Sequence, residues 1–162
     1  MIKRTITTAF FLSLFFSCSQ KKPSEEQKQT VLFVCTHGAA RSPIAAAHFN
    51  KLAKEEGLNY EAIFRGTEPD EVLTDGTVSG LSADGFDVDQ WKPQLVSKDD
   101  VREADKIVTF DCSLPDFEVP VQAEQWNGTP PISKDYNIAR NAILVEVDQL
   151  VRKLKIETMA NN

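Results

Sequence analysis

The chain has 162 residues and a formal charge of −6, with 41% hydrophobic and 26% charged residues. That is enough for one domain with a buried core, and the acidic balance excludes nucleic acid as a partner of the folded body. Two His, three Cys and no Cys-x-x-Cys pair exclude an ordinary metal site, and no cofactor is expected.

Met1-Ile2-Lys3-Arg4 and the apolar run to Phe16 read as a secretory signal, its apolar part too short to cross a bilayer as a helix. Phe15-Phe16-Ser17-Cys18 is similar to a bacterial lipoprotein processing site, with Phe15 where Leu is usual. Residues 1–17 are therefore expected to be removed. Cys18 then carries the lipid that anchors the exported protein to a bacterial membrane, facing the periplasm. Residues 19–29 hold no hydrophobic side chain, so 18–29 is expected to be a lipidated Cys followed by a disordered tether. The domain is expected over 30–156, with 157–162 as a tail.

Val31-Leu32-Phe33-Val34 predicts a buried strand over 31–35. Cys35 ends it. Thr36, His37, Gly38, Ala39, Ala40 and Arg41 come next, and Ser42-Pro43 opens a helix expected over 43–56, with Ser42 as N-cap and Pro43 at its first position. Ala45, Phe49, Leu52 and Ala53 give that helix one apolar face. This order puts a thiol at the base of a loop whose amides curl toward one point at a helix N-terminus, a holder for a tetrahedral oxyanion. Gly38 supplies the positive φ that lets those amides converge. The same positive field favours thiolate over thiol and makes Cys35 the nucleophile. Arg41 offers a planar fork for two anion oxygens. An Arg in the first helical turn opposes the helix dipole, which makes sense if an anion sits there. His37 either joins the anion when protonated or is simply solvated.

Further on, a strand is expected near 59–65, helices near 75–84 and 98–104, a strand at 106–110 and a short strand near 121–125. A helix over 134–156 carries Ile143, Val147, Leu150, Val151 and Leu154 on one face. Alternating strands and helices imply a parallel sheet with helices on both faces. Cys35 and Asp111 both fall at strand carboxyl ends, where such sheets bind ligands, and are expected to face one cleft.

Residues 35–43 resemble the phosphate-binding loop of the low-molecular-weight protein tyrosine phosphatases and the related thioredoxin-coupled arsenate reductases. Arg65-Gly66-Thr67-Glu68-Pro69 and the stretches 104–111 and 126–143 extend the likeness across 30–154. The resemblance implies an α/β fold with a four-stranded parallel doubly wound sheet in flavodoxin-like order. It also implies catalysis through a phosphocysteine. Cys35 is then the nucleophile, Arg41 the transition-state clamp and Ser42 the hydroxyl that stabilises the leaving thiolate, while Thr36, His37, Gly38, Ala39 and Ala40 line the anion. The chain departs from the family pattern at three loop positions: His37 replaces Gly, Gly38 replaces Asn, and Ala40 replaces a second Cys. The family's Asp-Pro before the last helix is also missing from 126–135. Asn127 lies in that loop, Asp135 is placed to cap the helix after it, and Asp111 and Asp116 are other acids that could reach the cleft.

Three functions are expected, in this order. The first is a phosphomonoesterase acting on phosphotyrosine-like or small phosphate esters. The second is an arsenate reductase using Cys35 and Cys112; no third Cys falls in 113–121, so a thioredoxin-like reductant would have to resolve the disulfide. The third is a non-catalytic oxyanion-binding lipoprotein, suggested by the missing Asp.

Overall fold

The structure, a computed structural model, describes residues 27–160; the expected signal segment 1–17 and the expected lipidation at Cys18 lie outside the described residues. Among the described residues no helix is long and apolar enough to cross a membrane.

The elements run β1 (Gln29–Cys35), α1 (Arg41–Glu55), β2 (Tyr60–Gly66), α2 (Asp75–Ala83), α3 (Lys98–Glu103), β3 (Lys106–Phe110), β4 (Glu124–Trp126) and α4 (Tyr136–Ala160). All strand pairs are parallel, in the order β2-β1-β3-β4, the flavodoxin-like order expected. Several ends differ from the sequence reading. β1 starts at Gln29, whose N–H donates to Asn59 O at 2.9 Å, so the end of the expected tether joins the sheet. β4 is confined to 124–126 because Trp126 anchors it, packing against Phe33 and Phe110 at ring separations of 5.6 and 5.4 Å. α4 continues past 156 to Ala160 through residues expected as tail, and Glu157 pairs with Lys106 at 3.0 Å.

β1 is central, with Val31, Leu32, Phe33 and Val34 wholly buried. Alternate residues serve different cores. Val31, Phe33 and Cys35 pack with α1 and α4, whereas Leu32 and Val34 pack with Val96, Val101, Ala104 and Ile107 on the α3 side. Burial of each large apolar side chain contributes about 1.5–3 kcal/mol, and Phe33, Phe49, Phe110 and Trp126 together form an aromatic floor beneath the end of β1. The register decides what stands on that floor. Cys35 lies level with Gly66 of β2 and Phe110 of β3, so the three loops that leave these strands meet at one point.

A polar brace ties α1 to the rest of this layer. His48 is buried on α1, edge-on to Phe86 at 4.9 Å. Its Nε2 lies 3.3 Å from Asp84 Oδ2 yet makes no hydrogen bond. Asp84 is already taken by Tyr136 OH and Arg140 Nη1, each at 2.7 Å. Burial holds the His48 pKa below its ordinary 6.5, against the opposing pull of Asp84. The unfolded chain therefore takes up a proton that the folded chain resists, so stability is full above about pH 6.5 and falls on acidification below it. His48→Gln is expected to flatten that slope by up to about 1.4 kcal/mol per pH unit, read from urea unfolding midpoints at several pH values. An unchanged slope would remove His48 as its source.

Candidate active site

The loop between β1 and α1 is shaped by what its carbonyls do. Those of Cys35, Thr36, His37 and Ala39 accept the N–H groups of Thr67, Glu68, Asp70 and Thr74 at 3.2, 2.8, 3.0 and 3.1 Å. A trans peptide holds its N–H opposite to its C=O. The amides of Thr36, His37, Gly38 and Ala40 therefore point away from the 67–74 segment, into the ring of the loop. Gly38 has φ +61°, as expected, and packs against Gly66. A Cβ on Gly38 would come within 2.9 Å of Gly66 N, and one on Gly66 within 2.8 Å of Gly38 N, so neither backbone leaves room for a side chain.

Helix α1 starts at Arg41, two residues earlier than the sequence reading, with Ala40 as N-cap and no side-chain cap. Ser42 is thus not the N-cap. Its fully buried hydroxyl lies 3.1 Å from Cys35 Sγ and 3.3 Å from Arg65 O, so it can donate to the sulfur as a thiolate or to the carbonyl as partner of a thiol. Capping is given up because the hydroxyl serves the sulfur, and the uncapped first-turn amides add to the anion-binding end of the helix. Pro43 falls at the third helical position, where its missing N–H leaves no intrahelical bond unmade.

Cys35 is buried at the bottom of this ring. Arg41 stands at its rim, its guanidinium 6.0 Å from the centre of the Phe110 ring. Nη1 of Arg41 bonds Asp111 Oδ2, and Asp111 Oδ1 accepts the Gly128 N–H at 3.0 Å. Asp111 has φ +46°, unlike any other non-glycine residue described. Such a conformation costs a side-chain-bearing residue about 1–2 kcal/mol, least for Asp and Asn. Beside Arg41 opens a groove of about 460 Å³ lined by Ala40, Thr74, Thr129, Pro131 and Ile132 among others, none of them aromatic.

The remaining sequence candidates fall elsewhere. His37 is exposed and turned to Asp70, with Nδ1 and Oδ1 3.3 Å apart, the solvated alternative of the two expected. Asp135 bonds the Ile138 N–H at 3.0 Å and caps α4, as expected. Asp116 lies with Phe117, Lys98 and Arg102 beside α3. Cys112 donates to Val34 O at 3.6 Å and packs on the α3 side of the sheet, and burial, then the neighbouring Cys35, pushes its thiol pKa up. Sequence reasoning missed Gly66 and the amides of 67–74 as the support of the loop. The one signal for them was Arg65-Gly66-Thr67 directly after a strand.

A family model described as low molecular weight phosphotyrosine protein phosphatase matches residues 30–128. The chain belongs to that family. Among solved structures it is similar to YfkJ from Bacillus subtilis, 22% identical with a TM-score of 0.71, covering 82% of this chain and 98% of that one. An arsenate reductase from Archaeoglobus fulgidus is 30% identical with a TM-score of 0.59, covering 76% and 97%. The low molecular weight protein tyrosine phosphatase of T. tengcongensis is 20% identical with a TM-score of 0.58, covering 78% and 99%. YfkJ and the T. tengcongensis enzyme, at these identities, speak for the fold alone. As a member of this phosphatase family the chain is a cysteine-dependent enzyme of the phosphatase or arsenate reductase kind.

Proposed function

We propose that this protein hydrolyses phosphate monoesters through a phosphocysteine on Cys35. One observation carries the reading: four loop carbonyls accept from the 67–74 amides, which turns the N–H groups of the same peptides away from that segment and leaves them for an anion. Thiolate attack forms the S–P bond and expels the alcohol. Water then attacks phosphorus, breaks the S–P bond and restores the thiolate. The loop amides and the Arg41 fork hold the equatorial oxygens in both steps, where their charge grows. The groove beside Arg41 holds no aromatic side chain. The proposal therefore names phosphate monoesters broadly and not phosphotyrosine.

A second reading, arsenate reduction, is supported by the 30% identity to the Archaeoglobus reductase. The placement of Cys112 weighs against it. Cys35 packs with the α1 and α4 core and Cys112 with the α3 core, and the raised Cys112 pKa leaves little attacking thiolate. The test is the purified protein with p-nitrophenyl phosphate, and separately with arsenate, thioredoxin and its reductase. Nitrophenolate release supports the phosphatase. Arsenate-dependent oxidation of thioredoxin without nitrophenolate release establishes the second reading. Phosphate binding with neither activity leaves an oxyanion-binding protein.

Export and lipid anchoring at Cys18 belong to the same proposal, so that the site would act at a membrane surface facing the periplasm. Cys18→Ala is expected to abolish palmitate incorporation and to leave the folded domain unchanged by circular dichroism. Palmitate that persists in this variant would overturn the anchoring site.

A further inference from the structure

We infer that Asp111 is the proton-transfer residue of this site, in place of the Asp-Pro acid missing from 126–135; the inference rests on the phosphatase reading above. The strand register puts it there. Cys35 lies level with Phe110, so Asp111 is the first residue beyond β3, one step past the partner of Cys35, and it reaches Arg41. Its two oxygens bond Arg41 Nη1 and the Gly128 N–H. No second acceptor bonds Arg41 among the described residues, which leaves Nε and Nη2 as a pair for the oxyanion. An oxyanion on that edge and a carboxylate on Nη1 then share one planar group, close enough for a leaving oxygen or a single water to bridge them. Thr129, next in the chain after Gly128, lines the groove beside Arg41, and Gly128 is the residue whose N–H Asp111 accepts. Three other acids are placed elsewhere: Asp135 at the start of α4, Asp116 on the α3 side and Asp70 beside His37. Asp111 also holds a left-handed backbone at φ +46°, a conformation that clusters at functional sites.

In the first step the protonated carboxyl of Asp111 gives its proton to the leaving oxygen as the P–O bond breaks and the S–P bond forms. In the second, the resulting carboxylate takes a proton from the attacking water as the P–O bond forms and the S–P bond breaks. One water is consumed, and alcohol and inorganic phosphate are released.

The experiment compares the wild-type protein with Asp111→Asn over aryl and alkyl phosphates whose leaving groups span a wide range of pKa. Asn tolerates the left-handed backbone, so the variant removes chiefly the carboxylate. Wild type is expected to show a shallow dependence of kcat/KM on leaving-group pKa. Asp111→Asn is expected to show a steep one, losing about 10²–10³-fold on the poorest leaving groups. On p-nitrophenyl phosphate it should give a nitrophenolate burst of about one equivalent, because hydrolysis of the phosphocysteine slows. Inorganic phosphate should inhibit the variant at least as well as it inhibits wild type, because a negative charge beside the anion is removed. An equal loss on every leaving group, together with weaker phosphate inhibition, would mean that Asp111 only holds Arg41 in place and would overturn the inference. If Asp111→Asn does not fold, the wild-type slope decides alone: a steep dependence excludes any proton donor at the leaving group. A wild type without phosphatase activity removes the phosphatase reading and this inference with it. An active wild type with an equally active Asp111→Asn removes only Asp111.

Discussion

Cys35→Ser is expected to stop turnover, a loss on the order of 10⁶-fold, while inorganic phosphate still binds. The two effects separate because different atoms produce them. On the proposed reading the nucleophile is a single sulfur at the end of β1, buried against the aromatic floor and 3.1 Å from the Ser42 hydroxyl. On the same reading the anion is held by amides whose direction is set by the bonds from 67–74 to the loop carbonyls, and those bonds involve only backbone atoms. A serine at position 35 keeps that backbone and the Ser42 contact but offers a neutral hydroxyl with no base beside it. Phosphate should therefore still raise the melting temperature of the variant; at a hundredfold excess over Kd the added stability is about 2.7 kcal/mol. Isothermal titration with phosphate and a p-nitrophenyl phosphate assay on one preparation measure both effects. Residual turnover near the wild-type level, or loss of phosphate binding in a folded variant, would contradict the assignment.

Arg41→Lys should lose both properties at once. A lysine keeps the charge but not the fork, and the Arg41 guanidinium has two separate tasks. Nη1 is tied to Asp111, which in turn holds Gly128, while the remaining donors face the anion. One ammonium cannot serve both directions in fixed geometry, so we expect a fall in kcat of about 10²–10³-fold, near 3–4 kcal/mol, with weaker phosphate inhibition. The contrast with Cys35→Ser is the diagnostic: one variant binds without turning over, the other does neither well. An Arg41→Lys protein with wild-type turnover would show that a point charge suffices and that the planar fork has no role.

The chain shares its fold with the T. tengcongensis phosphatase and the Archaeoglobus reductase, and the proposed chemistry rests on the loop geometry. A loop that converges amides over a sulfur recognises a tetrahedral oxyanion, whether phosphoryl or arsenate. The fate of the adduct on the sulfur depends on whether water or a second thiol reaches it. Here Asp111 stands at the rim, bonded to Arg41, while Cys112, one residue further along the chain, is turned toward the opposite core and bonded to Val34 O.

The amino-acid sequence determined by itself whatever depends on neighbours along the chain. Residues 35–42 are contiguous, so the thiol, the glycine with positive φ and the arginine at a helix start could be read as one anion loop without knowing the fold. The same is true of Ile143, Val147, Leu150, Val151 and Leu154, whose spacing placed them on the buried face of α4. Tertiary structure alone decided the matters that hang on parallel register. Cys35 lies level with Gly66 and Phe110, and only that alignment brings the 67–74 amides to the loop carbonyls, Gly38 against Gly66, and Asp111 to Arg41, 70 residues apart in sequence. Ser42 shows the limit most plainly. Local preference marks it as a helix cap, but the helix starts one residue before it and its hydroxyl is drawn inward to a sulfur and to a carbonyl on the neighbouring strand. A cap is a contest between near-equal local hydrogen bonds, and the partner that wins is supplied by another strand, which no local pattern encodes.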